Sequence, residues 1–215
     1  VILPSYPFQT QRYWIEPDKQ SSTSNRLMRH ADPTQWIYVP SWQRTSIFSP
    51  NSEASNETRY WLIFVDKAGI AEQLISKLSN SYDIVIRIVA ANHFSRLDEF
   101  NYQVNPADNR DFQTLFDQLK IYGHLPDIIV HCWMVDGVDL GNSERSTSGT
   151  LNIGFYSLVN IYKTLQALTM SHRFRLALIG SQLHNVNGTE IIDPEKCMAL
   201  APMRVIPMES PAIQT

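Results

Sequence analysis

The residues of this chain that could do chemistry are few, and their spacing works against them. A phenol that protonates a carbonyl needs a lysine four residues further along the same helical face, where the cation lowers the phenol's pKa. None of the nine tyrosines has a lysine at that spacing. Tyr156 is followed there by Asn160 and Tyr162 by Gln166, while Lys163 adjoins Tyr162 and points about 100° away around a helix. Both tyrosines therefore read as core or rim packing. A dinucleotide needs closely spaced glycines between a strand and a helix, so that the backbone can approach the pyrophosphate. The turn Val65-Asp66-Lys67-Ala68-Gly69-Ile70 holds one glycine, and nowhere do two glycines fall one residue apart. Lys67 reads as a solvated surface lysine.

The remaining candidates are single groups. Gly180-Ser181-Gln182-Leu183-His184 follows a strand pattern and offers the best serine nucleophile, yet it lacks a visible group to orient a base. His131, between Val130 and Cys132, reads as a buried neutral histidine with one hydrogen-bond partner. Asp136 and Asp139 flank Gly137 beyond a strand end, where open sheets place ligands. The six histidines and two cysteines show no zinc spacing, and Cys132 reads as a buried free thiol. The sequence thus offers no catalytic residue, no cofactor-binding residue and no metal ligand.

The elements that would position these groups alternate. Apolar strands are expected at Trp61–Val65, Asp83–Val89, Asp127–Met134 and Phe174–Ile179. Between them lie helical patterns at 70–79, at 111–121 and at 150–169. The last carries Phe155, Leu158, Val159, Tyr162, Leu165 and Leu168 as its stripe. Asp193 and Pro194 open a short helix to Leu200. Further short strands are expected at Trp36–Trp42 and Met203–Pro207. Near-continuous apolar strands alternating with amphipathic helices predict an α/β fold, a parallel Rossmann-like sheet with flanking helices. The Pro- and aromatic-rich stretch Leu3–Trp14 and the polar run Gln20–Asn25 precede it as an extended linker.

Composition narrows the partners. A net charge of −3 gives no electrostatic case for nucleic acid or an anionic membrane. No apolar run approaches the roughly 18 residues of a membrane span, and no signal peptide is visible, so a reducing cytoplasm is expected. The absence of an initiator methionine suggests an excised fragment.

Several segments resemble one family. Leu3-Pro4-Ser5-Tyr6-Pro7-Phe8-Gln9-Thr10-Gln11-Arg12-Tyr13-Trp14 resembles the linker after the acyltransferase of modular type I polyketide synthases. Val130-His131-Cys132-Trp133-Met134-Val135-Asp136-Gly137 is similar to a strand end of the ketoreductase structural subdomain. Gly154-Phe155-Tyr156-Ser157-Leu158 resembles the start of its long helix, and Ala201–Pro211 the segment that leads out of it. The resemblance implies residues 1–33 as linker and 34–215 as a truncated, short-chain-dehydrogenase-like half that binds no NADPH.

In that family this half braces a catalytic half, which holds the NADPH. The partners implied are that catalytic subdomain and the acyltransferase and ketosynthase domains of the same polypeptide, with self-association possible through an open sheet edge. Two alternatives stand beside the bracing role. The chain is the front of an active β-ketoacyl reductase, or a degenerate pseudo-ketoreductase scaffold beside a methyltransferase.

Overall fold

The computed structural model describes residues 31–37, 41–45, 58–79, 82–135, 147–168 and 172–215. Two compact units are distinguished, Val1–Gln43 and Arg44–Thr215. In the first, Asp32 caps a single 3₁₀ turn, Pro33–Trp36, by accepting from the Thr34 amide at 3.0 Å. Of the strand expected at Trp36–Trp42, Trp36 closes the turn instead, and Ser41 and Trp42 lie in no regular element. Pro33, with its φ already fixed, and the Asp32 cap favour the turn over an extended start. Residues 38–40 and the linker pattern of residues 1–30 lie outside the described residues.

The second unit is built on a seven-stranded sheet of order β3-β4-β2-β1-β5-β6-β7. The strands are β1 (Tyr60–Phe64), β2 (Ile84–Ala90), β3 (Ser95–Arg96), β4 (Asn101–Val104), β5 (Ile128–Met134), β6 (Phe174–Gly180) and β7 (Ile213–Gln214). All neighbours pair in parallel except β3, which is antiparallel to β4. The expected α/β class, a parallel Rossmann-like sheet with flanking helices, is what the chain forms. β5 is an interior strand and all seven of its residues are buried, as its apolar run, broken only by His131, requires.

Helices α1 (Ile70–Leu78), α2 (Asn109–Ile121), α3 (Thr147–Leu151), α4 (Ser157–Gln166), α5 (Pro194–Cys197) and α6 (Leu200–Glu209) complete the unit. The larger core joins Leu62, Phe64, Ile86 and Trp133 of the sheet to Phe112, Leu115, Leu158, Ile161 and Ile206 of α2, α4 and α6. The opposite face sets Ile63, Val130 and Cys132 against Ala71, Leu74 and Ile75 of α1. Residues alternate between the two faces along each strand because the side-chain period is two.

The segment Met203–Pro207, expected as a strand, lies inside α6. Its Val and Ile content suggests strand, but burying Ala199, Pro202 and Ile206 while Val205 and Met208 stay exposed is a helical spacing. The helix expected over Pro194–Leu200 breaks after Cys197, and α6 begins at Leu200. The long helix is interrupted by a π turn at Asn152–Tyr156 between α3 and α4. That turn rotates the face: Ile153, Leu158, Ile161 and Leu165 are buried, while Phe155, Val159 and Tyr162 of the expected stripe are only half-buried.

Candidate functional site

The chain leaves β1 for β2 on one side and later enters β5 on the other, so the crevice between the C-terminal ends of β1 and β5 is the topological switch point. Open α/β sheets bind ligands there. The described residues at this point are those of the β1–α1 turn, the end of β5 as far as Val135, and the end of β6. Asp136 and Asp139 lie outside the described residues.

The β1–α1 turn is filled by its own side chain. Gly69 adopts φ 89°, a left-handed conformation that a side chain disfavours, and it has no side chain with which to cap α1. Asp66 does so instead: its carboxylate accepts from the Ile70 amide at 3.1 Å and from the Ala71 amide at 2.7 Å. These amides at the positive end of α1 are the donors that a phosphate would use. An acidic group, 8% exposed, already holds them. Lys67 is exposed, as expected. The sequence gives a signal for this cap, an Asp four residues before an apolar helical pattern and with a glycine between.

Next to this turn, Cys132 is fully buried, and burial, with Asp66 nearby, pushes its thiol up to about 12. One residue back, His131 is fully buried and Nε2 lies 2.9 Å from Ser157 Oγ. The Ser157 hydroxyl itself donates to the carbonyl of Ile153, so Nε2 carries the hydrogen and donates to Ser157. Nδ1 is buried without a partner among the described residues. Burial lowers His131 to about 3, which keeps the ring neutral. Its ring lies against Phe64 at 5.4 Å and Trp133 at 5.3 Å, and Phe64 meets Trp133 edge-on at 4.8 Å. His131 is a packing residue with one hydrogen-bond partner. Only the partner, Ser157, was invisible in the sequence.

At the end of β6, Ser181 Oγ donates to the Val135 carbonyl and accepts from Lys196 Nζ at 3.3 Å. Lys196 is buried, and its Nζ also donates to Gln182 Oε1 at 3.2 Å. A hydroxyl whose proton is given to a carbonyl and whose lone pair faces an ammonium is poorly set to attack a substrate. His184 is exposed. Ser181 and Lys196 thus tie α5 to the sheet, a pairing that the fourteen intervening residues conceal. On α4, Tyr162 is half-buried beside Glu209, and burial and that carboxylate raise its phenol. Tyr156, at the π turn, is exposed. Among the described residues no group of three His, Cys, Asp or Glu side chains is placed to hold a metal. No described helix is long and apolar enough to cross a membrane.

Residues 60–211 match the family described as beta-ketoacyl synthase-like, N-terminal. The chain belongs to that family. No curated protein sequence matches it. Among solved structures, the fold is similar to one titled as an adenylation, ketoreductase and pseudo Asub multidomain structure of a keto acid-selecting NRPS module. The TM-score is 0.64 at 22% identity, over 73% of this chain and 13% of that one. It is also similar to an N-terminal ketoreductase from the macrolactin assembly line, with TM-score 0.59 and 16% identity over 75% of this chain and 31% of that one. A short-chain dehydrogenase from Leptospira borgpetersenii with bound NAD+ gives TM-score 0.51 at 10% identity, over 80% and 74%. The chain therefore spans less than a third of either of the first two. The family match together with this fold supports the resemblance drawn from the sequence to a piece of a polyketide synthase module.

Proposed function

We propose that this chain is the non-catalytic half of a ketoreductase in a polyketide-synthase-type module, and that it braces the half that carries NADPH. The observation that supports this most is the Asp66 carboxylate on the Ile70 and Ala71 amides. A dinucleotide phosphate brought to this helix end would have to displace a carboxylate and would meet its charge. The tyrosine and lysine needed for carbonyl protonation have no counterpart on α4, where Asn160 and Gln166 occupy the spacing.

The bracing surface in this reading is the face of α4 and α6. Phe155, Val159, Tyr162, Val205 and Ile206 line a largely apolar groove of about 560 Å³ there. Residues 1–33 would then be the linker that follows an acyltransferase, and residues 34–215 the subdomain. The acyltransferase, the ketosynthase and the catalytic ketoreductase half would be partners within one cytoplasmic polypeptide.

The test is a calorimetric titration of the purified chain with NADPH. No saturable heat is expected. Saturable binding at micromolar affinity that Lys67→Ala or Asp66→Lys alters would overturn the proposal, because it would put a working cofactor site at the β1–α1 turn.

A further inference from the structure

At the N-terminal ends of β1, β5 and β6, away from the switch point, a hollow of about 230 Å³ is lined by Arg59, Asp127, Arg173 and Arg175. Arg175 leaves β6 on the face opposite Phe174 and Leu176, which are buried in the larger core. Arg173 stands one residue before the strand. Both arginines are exposed, and neither has a carboxylate partner among the described residues. Arg59 lies with Nε 3.7 Å from Asp83 Oδ1. Asp127, the acid in the wall, is held elsewhere: Oδ2 accepts from the Tyr60 amide at 2.9 Å, and Oδ1 lies 3.5 Å from His172 Nε2. Three guanidinium groups thus share one hollow with a single, already occupied carboxylate.

Size and chemistry narrow what fits. Pockets that take a whole drug-sized ligand start at roughly 300 Å³, so this one suits a single small group. A concave wall of one charge concentrates counter-ions, and the planar guanidinium fork matches the oxygens of a phosphate. Pro211 and Ala212, where the chain approaches β7, add an apolar lip beside the arginines. We propose that this hollow binds the phosphate of a phosphate monoester, with Arg173 and Arg175 on the phosphate and the lip against the organic part. A free phosphate ion shares the charge but has nothing to lay on that lip. The site is separate from the β1–α1 turn, and the inference is independent of the bracing role.

The test is an NMR titration of the chain with phenyl phosphate and with inorganic phosphate, at constant ionic strength. A pH of about 7.5 keeps either probe close to two negative charges. Saturable shifts are expected at the amides of Arg175, Ala212 and Gln214, at lower concentrations of phenyl phosphate than of inorganic phosphate. Arg173→Gln combined with Arg175→Gln should weaken binding by roughly tenfold or more. Arg204→Gln, an exposed change on α6 outside the hollow, should leave it unaltered. Shifts that never saturate, or equal weakening by Arg204→Gln, would overturn the proposal. Inorganic phosphate binding as tightly as phenyl phosphate would overturn the assignment to an ester. A glutamate-rich peptide that saturates the same amides at lower concentration would also overturn it, by giving the hollow to an acidic protein.

Discussion

The Asp66 carboxylate lies 2.7 Å from the amide of Ala71, across the turn in which related folds place a phosphate. Side chain and helix end satisfy each other, so the same bond stabilises α1 and occupies the anion site. Asp66→Ala should therefore lower stability by about 1 to 2 kcal/mol, read from urea unfolding. Asp66→Asn should lose less, because its amide oxygen still accepts. If Asp66→Ala unfolds at the wild-type urea concentration, the cap contributes nothing.

The neutral, buried His131 gives stability a pH dependence of known sign. In the unfolded chain the ring takes a proton near pH 6.5, whereas in the fold it does so only at about 3. Protonation favours the unfolded state, so the full contribution is present above about pH 6.5 and is lost as pH falls toward 3. The expected slope in that window is about 1.4 kcal/mol per pH unit. His131→Gln should be less stable at pH 7 but flatter than wild type between pH 7 and 5, in unfolding curves taken at each pH. Parallel pH profiles for the two proteins would contradict a neutral ring.

The two thiols should separate in reactivity. Cys132 is buried with its thiol pushed up to about 12, whereas Cys197 is half-buried with Sγ 3.3 Å from the Leu183 carbonyl. A thiolate-selective reagent at pH 8 should modify Cys197 in the native protein and Cys132 only after denaturation. Rapid labelling of both in the native state would mean that α1 does not seal its face of the sheet.

Gly154 packs against the thioether end of the Met134 side chain. A Cβ built there would stand 2.6 Å from Met134 Sδ and 2.8 Å from its Cε, in a fully packed layer. Gly154→Ala should cost at most about 1 kcal/mol, because the end of Met134 must shift in a buried layer while alanine favours the helical backbone. Adding Met134→Ala should recover part of that loss, making the double mutant more stable than the sum of the single changes. Strict additivity would show that the clash is relieved elsewhere.

The central parallel sheet was legible in the sequence because β1, β2, β5 and β6 are runs of apolar residues bounded by turn residues, and their periodicity is local. β3, β4 and β7 were not foreseen. Ser95–Arg96 and Ile213–Gln214 are too short to show a period, and Asn101–Val104 is held as a strand by the neighbouring Arg87–Ala90. The motif residues His131, Trp133 and Gly154 stood out by type, but their partners Phe64, Ser157 and Met134 are distant in sequence. Hydrogen bonds and ring contacts across such distances leave no spacing to read.

The sequence by itself determined what this chain lacks, since a glycine-rich turn and a tyrosine–lysine pair are matters of residue type at fixed local spacing. It also determined the alternation of strand and helix. Only the tertiary structure decided that Asp66 turns back onto the α1 amides, that Lys196 reaches Ser181, and that Met203–Pro207 is helix and not strand. Each of these depends on which groups burial brings together and on the need of buried polar atoms for partners, and neither is set within a few residues of the chain.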